Sequence, residues 1–473
     1  MAGESAHFGD RAVVIGGSMT GMMVARVLVD HFARVTVLER DEIASGPEPR
    51  RYTPQGNHYH ALLVGGQRVL EDLYPGFTRR LEERGAVAVA SGHDTAGYGP
   101  PGIGEASKGS EEPARDTGLR FYNQSRALLE DNLRHFHRTQ EAITDRSPAT
   151  ARRLLSEDGR VCGVEIESDG ETERLEADLV VDAGGRAAQS PRWLESMGCS
   201  TPEETTIGVD FAYSSALFRL PADLGIREKL ATFGGPPPTY PNAAISGAIE
   251  DGQWVVSLAG RFGDYPPGDE EGFLAFAKAL PTPVLYERLK HAERVGPIHR
   301  FRFPTSVHRR YERLRDFPSG LIVIGDAICS VNPAYGQGMS ACALQVRALS
   351  DLLAQRSANG SGLDDLAPEF FARTAEVIVT PWTLAANMDL AYPKTVGERP
   401  ADMAEGARYF GELAALSAED EQVGLLLAEV FQLVRPLSVL MEEPLLGRVM
   451  RRLEAKAGPA QPVANPDTQK EQR

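Results

Sequence analysis

With 473 residues, the chain is long enough for two or three domains and a sizeable core. Its 42% hydrophobic, 25% charged and 7% aromatic content is that of an ordinary globular protein. A formal net charge of -16 argues against a partner that presents a phosphate backbone, because such binders need a basic surface, so nucleic acid is not an expected partner.

The first predicted unit, residues 11 to 39, reads strand, turn, helix, strand in "RAVVIG", "GSMTG", "MMVARVLVDHF" and "RVTVLE". Both strands are continuous apolar runs, as in a parallel sheet covered on both faces. In "IGGSMTG", Gly16, Gly17 and Gly21 approximate a dinucleotide fingerprint, with Ser18 where the middle glycine usually stands. Gly16 then serves the tight turn and Gly21 the close approach of helix to strand, and the helix N-terminus holds a pyrophosphate. Glu39, at the end of the second strand, is placed to accept hydrogen bonds from a ribose.

"TPQGNHYHALL" follows, with Gln55 and two histidines, His58 and His60. Two residues apart, they share a side only in an extended segment, and no third ligand accompanies them for a metal. They are either pocket residues or structural histidines. The glycine-rich stretch 97 to 118 has the composition of a loop or excursion. "NQSRALLEDNLRHFH" (123 to 137) predicts a helix with Leu129, Leu133 and Phe136 on one face.

"LEADLVVDAGGR" (175 to 186) is a buried-strand run that ends in Asp182 and two glycines. From about 203 to 308, alternation in "FAYSSALFRL" and "QWVVSLAGRF" predicts antiparallel strands with one covered face. Phe211, Tyr213, Phe218, Trp254 and Phe262 are candidates for an apolar pocket or for plain core packing. Beyond residue 340 the pattern is helical to about 456, and "GPAQPVANPDTQKEQR" has the composition of a disordered tail.

No apolar run approaches the roughly 18 to 20 residues of a membrane span, and "MAGESAHFGD" lacks the features of a signal peptide, so the cytoplasm is the expected location. Cys162, Cys199, Cys329 and Cys342 are widely spaced and suggest neither disulfides nor a metal site.

The stretch "GDAICSVNPAYGQGMSACALQ" after the apolar run "LIVI" carries chemistry that a core does not need. It resembles the second FAD-binding motif of flavoprotein monooxygenases with the para-hydroxybenzoate hydroxylase fold. The resemblance implies that Asp326 binds the ribityl hydroxyls and that Pro333 lies beside the isoalloxazine ring. It also implies that backbone amides around Gly336, Gln337, Gly338 and Met339 face the flavin pyrimidine edge, where a helix N-terminus stabilises negative charge. "DLVVDAGGR" is similar to the third motif of that family, through Asp182, Gly184 and Arg186. "RRYTPQGNHYHALLVGGQRVLEDLYPGF", "QSRALLEDNL" and "MDLAYPKT" resemble segments of actinobacterial FAD-dependent epoxidases that act on polyene precursors of polyether ionophores. By that likeness Arg51 and Arg126 contribute positive charge near the FAD phosphates; without it each reads equally as a solvated surface arginine.

The expected fold is therefore α/β, a Rossmann-like FAD-binding domain with an inserted antiparallel β-sheet substrate domain and a C-terminal helical region. Expected boundaries are 1–80, 119–190 and 310–355 for the FAD-binding domain, 81–118 and 191–309 for the substrate domain, 356–456 for the helices and 457–473 for the tail. The expected activity is epoxidation of an alkene in a lipophilic, polyketide-like intermediate of secondary metabolism, in antibiotic biosynthesis, through a flavin C4a-hydroperoxide formed from O2. NAD(P)H supplies the electrons, directly or through a separate flavin reductase. Aromatic hydroxylation is the runner-up. A flavin-dependent halogenase, a geranylgeranyl-type reductase and a non-catalytic flavin-binding protein stand further off; halogenases carry a paired-tryptophan motif, and the three tryptophans here stand singly.

Overall fold

The computed structural model describes residues 7–43, 45–100 and 117–457. Strand β1 (Gly9–Ile15) runs into helix α1 (Met19–Leu28) and back into strand β2 (Phe32–Leu38). Helix α2 (Arg126–His137) then leads to β3 (Ile143–Arg146), and β4 (Leu179–Asp182) and β5 (Leu321–Val323) complete a five-stranded sheet in the order β5-β4-β1-β2-β3. Every pair in it is parallel. Val13, Val14, Val35, Val37, Val180, Val181, Ile322 and Val323 are buried, which is why these strands read as unbroken apolar runs. Helix α3 (Gly338–Ala358) follows β5 after a loop and packs on α1.

The predicted face of α2 is present: Leu129 and Leu133 are buried and Phe136 packs partly buried against the same core. Between β3 and β4 stands a three-stranded antiparallel sheet, Thr150–Glu157, Arg160–Ser168 and Glu171–Glu176. Its turns are Asp158–Gly159 and Asp169–Gly170, all four residues at positive φ, the Asp-Gly signature of a tight hairpin.

The region from 203 to 308 forms most of a seven-stranded sheet. Its order is Cys329–Ser330, Glu293–Arg309, Glu204–Arg219, Trp254–Arg261, Ala243–Ala248, Leu230–Phe233 and Thr95–Tyr98. All its pairs are antiparallel except the last, which is parallel. One face, with Ala216, Phe218, Val256 and Leu258, buries against Phe273 and Phe276 of the helix Glu270–Lys278. Phe211, Tyr213 and Ser215 alternate to the other face. The expected α/β architecture with an inserted sheet and helical C-terminal part is thus borne out. Thr95–Tyr98 is the part of 81–118 that joins the seven-stranded sheet, whereas Val87–Ala90 pairs with Arg120–Asn123 in a separate one.

Two compact units are distinguished by their internal contacts: Met1–Glu398 with Gln432–Val434, and Arg399–Phe431 with the chain from Arg435. Within the second unit, the helices Met403–Glu419 and Leu445–Ala457 are tied by Arg452, which meets Glu419 at 2.7 Å and Glu412 at 3.4 Å. The proposed tail and most of the glycine-rich stretch, 101–116, lie outside the described residues. Among the described residues no helix is long and apolar enough to cross a membrane, and the four cysteines are free thiols.

The join of β1 to α1 depends on Gly21. A Cβ added there would stand 1.7 Å from the Gly16 carbonyl oxygen, a backbone atom that cannot move aside. Gly21→Ala is expected to destabilise at the upper end of the about 1–3 kcal/mol that overpacking costs, or beyond it. Gly411→Ala, in an exposed helix interior with open space around it, is expected instead to stabilise by up to about 1 kcal/mol. Thermal and urea melts of the two variants check both signs.

Candidate active site

Gly16 leaves β1 at φ +104, and its N–H donates to the Leu38 carbonyl at 2.8 Å. The next amide, Gly17, donates to Glu39 Oε2 at 3.0 Å, and the Asp41 amide donates to Glu39 Oε1 at 2.9 Å. Glu39 is buried at the end of β2, so its carboxylate is held facing the turn by the backbone itself. Ser18 stands at the N-cap of α1, yet its side chain caps nothing there; its hydroxyl donates to Glu130 Oε1 at 3.0 Å. The amides of the first turn of α1 are therefore left without a side-chain acceptor, the condition under which a helix start receives an anion.

Glu130 gathers the cations of the region. Arg126, one turn earlier on α2, donates to its Oε1 from Nε at 2.8 Å and from Nη2 at 2.6 Å. Arg50 Nη1 lies 3.5 Å and Arg134 Nη2 3.9 Å from its Oε2. Burial pushes the Glu130 carboxyl up, but Arg126, Arg50 and Arg134 together outweigh it and hold it at about 2. Arg50 also meets Glu39 at 3.2 Å and Asp41 at 3.5 Å, so three carboxylates surround one buried guanidinium. Arg51, the residue singled out from sequence, is not brought to this cluster: it is exposed and stacks over Tyr52 at 5.4 Å. Adjacent residues of an irregular segment point apart, and the sequence offers no period by which to choose between them. Glu130 had a signal that was missed, its four-residue spacing from Arg126 on a helix.

The other two motifs reach the same place. Asp182, at the end of β4, is fully buried; it accepts from the Gly184 amide at 2.9 Å, from the Ser190 amide at 3.3 Å and from the Ser190 hydroxyl. Burial raises its pKa. Its carboxylate closes the turn after β4, so its observed partners are all within the chain. Arg186, four residues on, donates to Ser330 Oγ at 3.2 Å and lies 4.6 Å over the Phe303 ring.

Asp326 follows β5, and among the described residues its carboxylate is met by the weak thiol donor Cys342 Sγ at 3.5 Å. Burial raises its pKa, with Arg126 and Arg186 pulling it back. Its oxygens therefore keep lone pairs to offer. Pro333 opens a single turn of 3-10 helix, Pro333–Tyr335, which Asn332 caps by accepting from the Ala334 amide at 3.0 Å. Gly336 and the buried Gln337 then lead into Gly338 and α3, where Met339 Sδ lies against the Arg126 guanidinium.

That loop is anchored from beneath. Asn332 Nδ2 at 2.9 Å, Tyr335 OH at 2.7 Å and Arg261 Nη1 at 2.9 Å all converge on Asp389 Oδ1. Arg261 belongs to the seven-stranded sheet, its guanidinium held between the rings of Phe211 at 5.0 Å and Tyr392 at 4.8 Å. Asp389 lies in "MDLAYPKT", and no local pattern in that stretch marks an aspartate that is buried by a distant arginine.

On the same sheet face, Tyr213 pairs with Phe301 and Ser215 with His299 and Ser257. His58 is buried against this face, edge-on to Tyr213 with ring centroids 4.3 Å apart. Burial, with His60 and His299 adding to it, pulls its pKa down to about 3. His60 donates from Nδ1 to the His58 carbonyl at 2.9 Å, and burial lowers its pKa to about 4. Phe211 and Tyr213 thus share the sheet face that meets His58. Trp254 does not: it pairs with Phe218, and side chains directly opposite in an antiparallel pair share a face. It stands on the side packed by Glu270–Lys278, away from the motifs. The pattern of alternation was legible, but not which parity faced the cofactor-side residues. Among the described residues no cluster could hold a metal ion.

No family model matches the sequence. Among curated proteins, the chain is 31% identical over 467 residues to Protein Rv3254 of Mycobacterium tuberculosis, covering 95% of each chain. Its fold is similar to that of the flavin-dependent brominase Bmp2, with a TM-score of 0.63 at 14% identity over 95% of this chain and 99% of that one. The p-nitrophenol 4-monooxygenase PnpA of Pseudomonas putida DLL-E4 aligns with a TM-score of 0.60 at 16% identity, over 90% of this chain and 98% of that one. PqsL of Pseudomonas aeruginosa, a probable FAD-dependent monooxygenase, aligns at 0.57 with 16% identity, over 81% and 97%. At such identities these likenesses establish the fold, which FAD-dependent monooxygenases share with flavin-dependent halogenases.

Glu130 makes the cluster testable by pH. Its carboxyl, ordinarily near 4.5, titrates at about 2 in the fold, so its stabilisation is fully present above about pH 4.5 and drains away as the pH falls toward 2. Glu130→Gln is expected to flatten the loss of stability between about pH 4.5 and 3. At neutral pH it should cost about 3–5 kcal/mol, as removal of one partner from a buried ion pair does. Urea melts across that range check both.

Proposed function

We propose that this chain, which belongs to the same family as Protein Rv3254 of Mycobacterium tuberculosis, is an FAD-dependent monooxygenase that epoxidises an alkene in a lipophilic small molecule. One observation carries the reading. Three strand-end turns, at Gly16, Gly184 and Gly325, converge beside Arg126 and Asp326, and an aromatic sheet face lies next to them.

The residues fit FAD. A Cβ at Gly16 or Gly21 would strike the chain's own backbone, at Ala183 and Gly16, so the turn keeps the bare backbone that a pyrophosphate can approach, and a Cβ on Gly17 would stand 2.9 Å from that of Glu39. Asp326 offers acceptors that no strong donor among the described residues uses. In this reading Glu39 accepts from the ribose hydroxyls, and the first turn of α1 with Arg126 balances the pyrophosphate. Asp326 accepts from the ribityl chain, and amides from Gly336 to Met339 meet the pyrimidine edge. Pro333 flanks the ring system. When bound and reduced, FAD supplies the activation of dioxygen.

Phe211, Tyr213 and Phe301 hold the apolar substrate and exclude water. The low pKa values of His58 and His60 favour epoxidation over hydroxylation of a phenol. Both imidazoles are neutral at physiological pH and are poor bases, so neither assists ionisation of a phenol, whereas an alkene needs no base. Electrons come from NAD(P)H, directly or through a partner flavin reductase. A polyketide-like substrate in antibiotic biosynthesis and a cytoplasmic location are part of this proposal.

Flavin fluorescence quenching tests the premise. The chain is expected to bind FAD, and Asp326→Ala to weaken binding by about tenfold or more, each factor of ten being about 1.4 kcal/mol. Absence of FAD binding by the unmodified chain would remove the reading. With isotopically heavy dioxygen and a lipophilic triene, heavy oxygen in an epoxide supports it. A product halogenated in the presence of bromide, or one that has lost a double bond without gaining oxygen, would replace it.

A further inference from the structure

A buried polar hydrogen without an acceptor is rare in a folded chain, and where one occurs it points to a partner that the chain does not supply. His58 carries one. The residue is 4% exposed, its Nδ1 lies 2.7 Å from Ser215 Oγ, and its Nε2 has no hydrogen-bond partner among the described residues.

Which nitrogen bears the hydrogen follows from the chain of bonds behind it. The Tyr59 amide can only donate, and it donates to Ser257 Oγ at 3.2 Å. Ser257 and Ser215 share a hydrogen bond of 2.6 Å. If Ser257 donates to Ser215, Ser215 donates to His58 Nδ1, and every hydroxyl hydrogen is used. In the reverse order the Ser257 hydroxyl hydrogen is idle and Nε2 is an idle acceptor as well. The first arrangement leaves one group unpaired and the second leaves two, so Nδ1 accepts and Nε2 carries the hydrogen. The imidazole itself lies edge-on to the rings of Tyr213 and Phe301, with ring centroids 4.3 Å and 6.1 Å apart.

Of the guanidiniums on this side of the fold, Arg126 is matched by Glu130 and Arg261 by Asp389, and Arg186 is held over the Phe303 ring with Ser330 as its hydrogen-bond partner. A carboxylate placed beside His58 would be buried without a counter-ion, which a fold avoids. A carbonyl, ether or hydroxyl oxygen meets no such penalty.

We propose that His58 is the specificity-determining residue of the sheet face. Its Nε2–H donates to an uncharged oxygen on an otherwise apolar molecule that lies against Tyr213 and Phe301. The substrate class rests on the monooxygenase reading above; the donor itself does not. The substrate is thus a neutral oxygen-bearing lipophile, anchored at that oxygen and not at an acid group.

Three probes of one shape test this in titrations of the FAD-supplemented chain: 2-acetylnaphthalene, 2-ethylnaphthalene and 2-naphthoate. The ketone is expected to bind at least about tenfold more tightly than the hydrocarbon, the penalty for leaving a buried donor unpaired, and the carboxylate more weakly than the ketone. His58→Phe should erase the preference for the ketone while leaving the hydrocarbon's affinity within about twofold, and His58→Gln should restore part of it. Nitrogen NMR of the unmodified chain reads the tautomer independently of any ligand. Nε2 should be protonated, Nδ1 bare, and neither should titrate between about pH 5 and 8. Equal affinity for ketone and hydrocarbon, binding of neither, a preference that survives His58→Phe, or a proton on Nδ1 would each overturn the proposal. FAD binding, followed in the same samples, separates the two readings. Ketone preference without flavin binding removes the monooxygenase and keeps the donor, while flavin binding without ketone preference does the opposite.

Discussion

The structure turns on a carboxylate that neutralises cations on three sides. Glu130 is buried on α2, and Arg50, Arg126 and Arg134 reach it from the segment after β2 and from its own helix. None of these guanidiniums could be buried alone. Because they are held as a group, the first motif, the helix that crosses it and the start of α3 are brought to one point, with Ser18 and Met339 both in contact with Arg126. The substitution of serine for the usual glycine at position 18 makes sense in the same terms. Its hydroxyl bridges the turn to Glu130 and does not fill the cradle.

A second buried carboxylate does for the sheet what Glu130 does for the cradle. Asp389 receives Asn332 and Tyr335 from the loop before α3 and Arg261 from the seven-stranded sheet. The loop proposed to carry flavin contacts and the sheet proposed to carry substrate contacts are therefore fixed against one shared oxygen. Packing alone would let such surfaces slide by fractions of an ångström, while two hydrogen bonds and an ion pair on one oxygen set their distance.

What the sequence made legible is what has a period or a fixed spacing. The apolar runs of β1, β2, β4 and β5, the glycines at 16 and 21, the face of α2 and the antiparallel alternation around Tyr213 all follow from local rules. The Asp-Gly pairs at 158 and 169 obey such a rule too and went unread. Arg50 and Arg51 are equivalent by every local criterion; only the fold of an irregular segment buries one and exposes the other. Trp254 was lost to parity, since a strand declares that its residues alternate without declaring which set faces the ligand side. Asp389 and Arg261 lie more than a hundred residues apart, and nothing local marks either.

Charge is distributed in a way that bears on the proposed chemistry. Around α1 and α2 the ions are many and matched, a setting in which an incoming anion can be received by amide dipoles and by a guanidinium that already has a partner. Close to Tyr213 and Ser215 the polar groups are neutral, a serine pair, two imidazoles with strongly lowered pKa values and a tyrosine hydroxyl, while Arg261 on the same face is matched by Asp389. A neutral wall of this kind gives little to an ion, and it gives a great deal to an apolar molecule with one oxygen to place. An oxygen-transfer reaction that borrows its reactive group from a cofactor needs no charged side chain at the substrate, only exclusion of water and a fixed orientation. A cradle rich in matched ions beside a patch of neutral groups around Tyr213 fits the division of labour that the proposed chemistry would use.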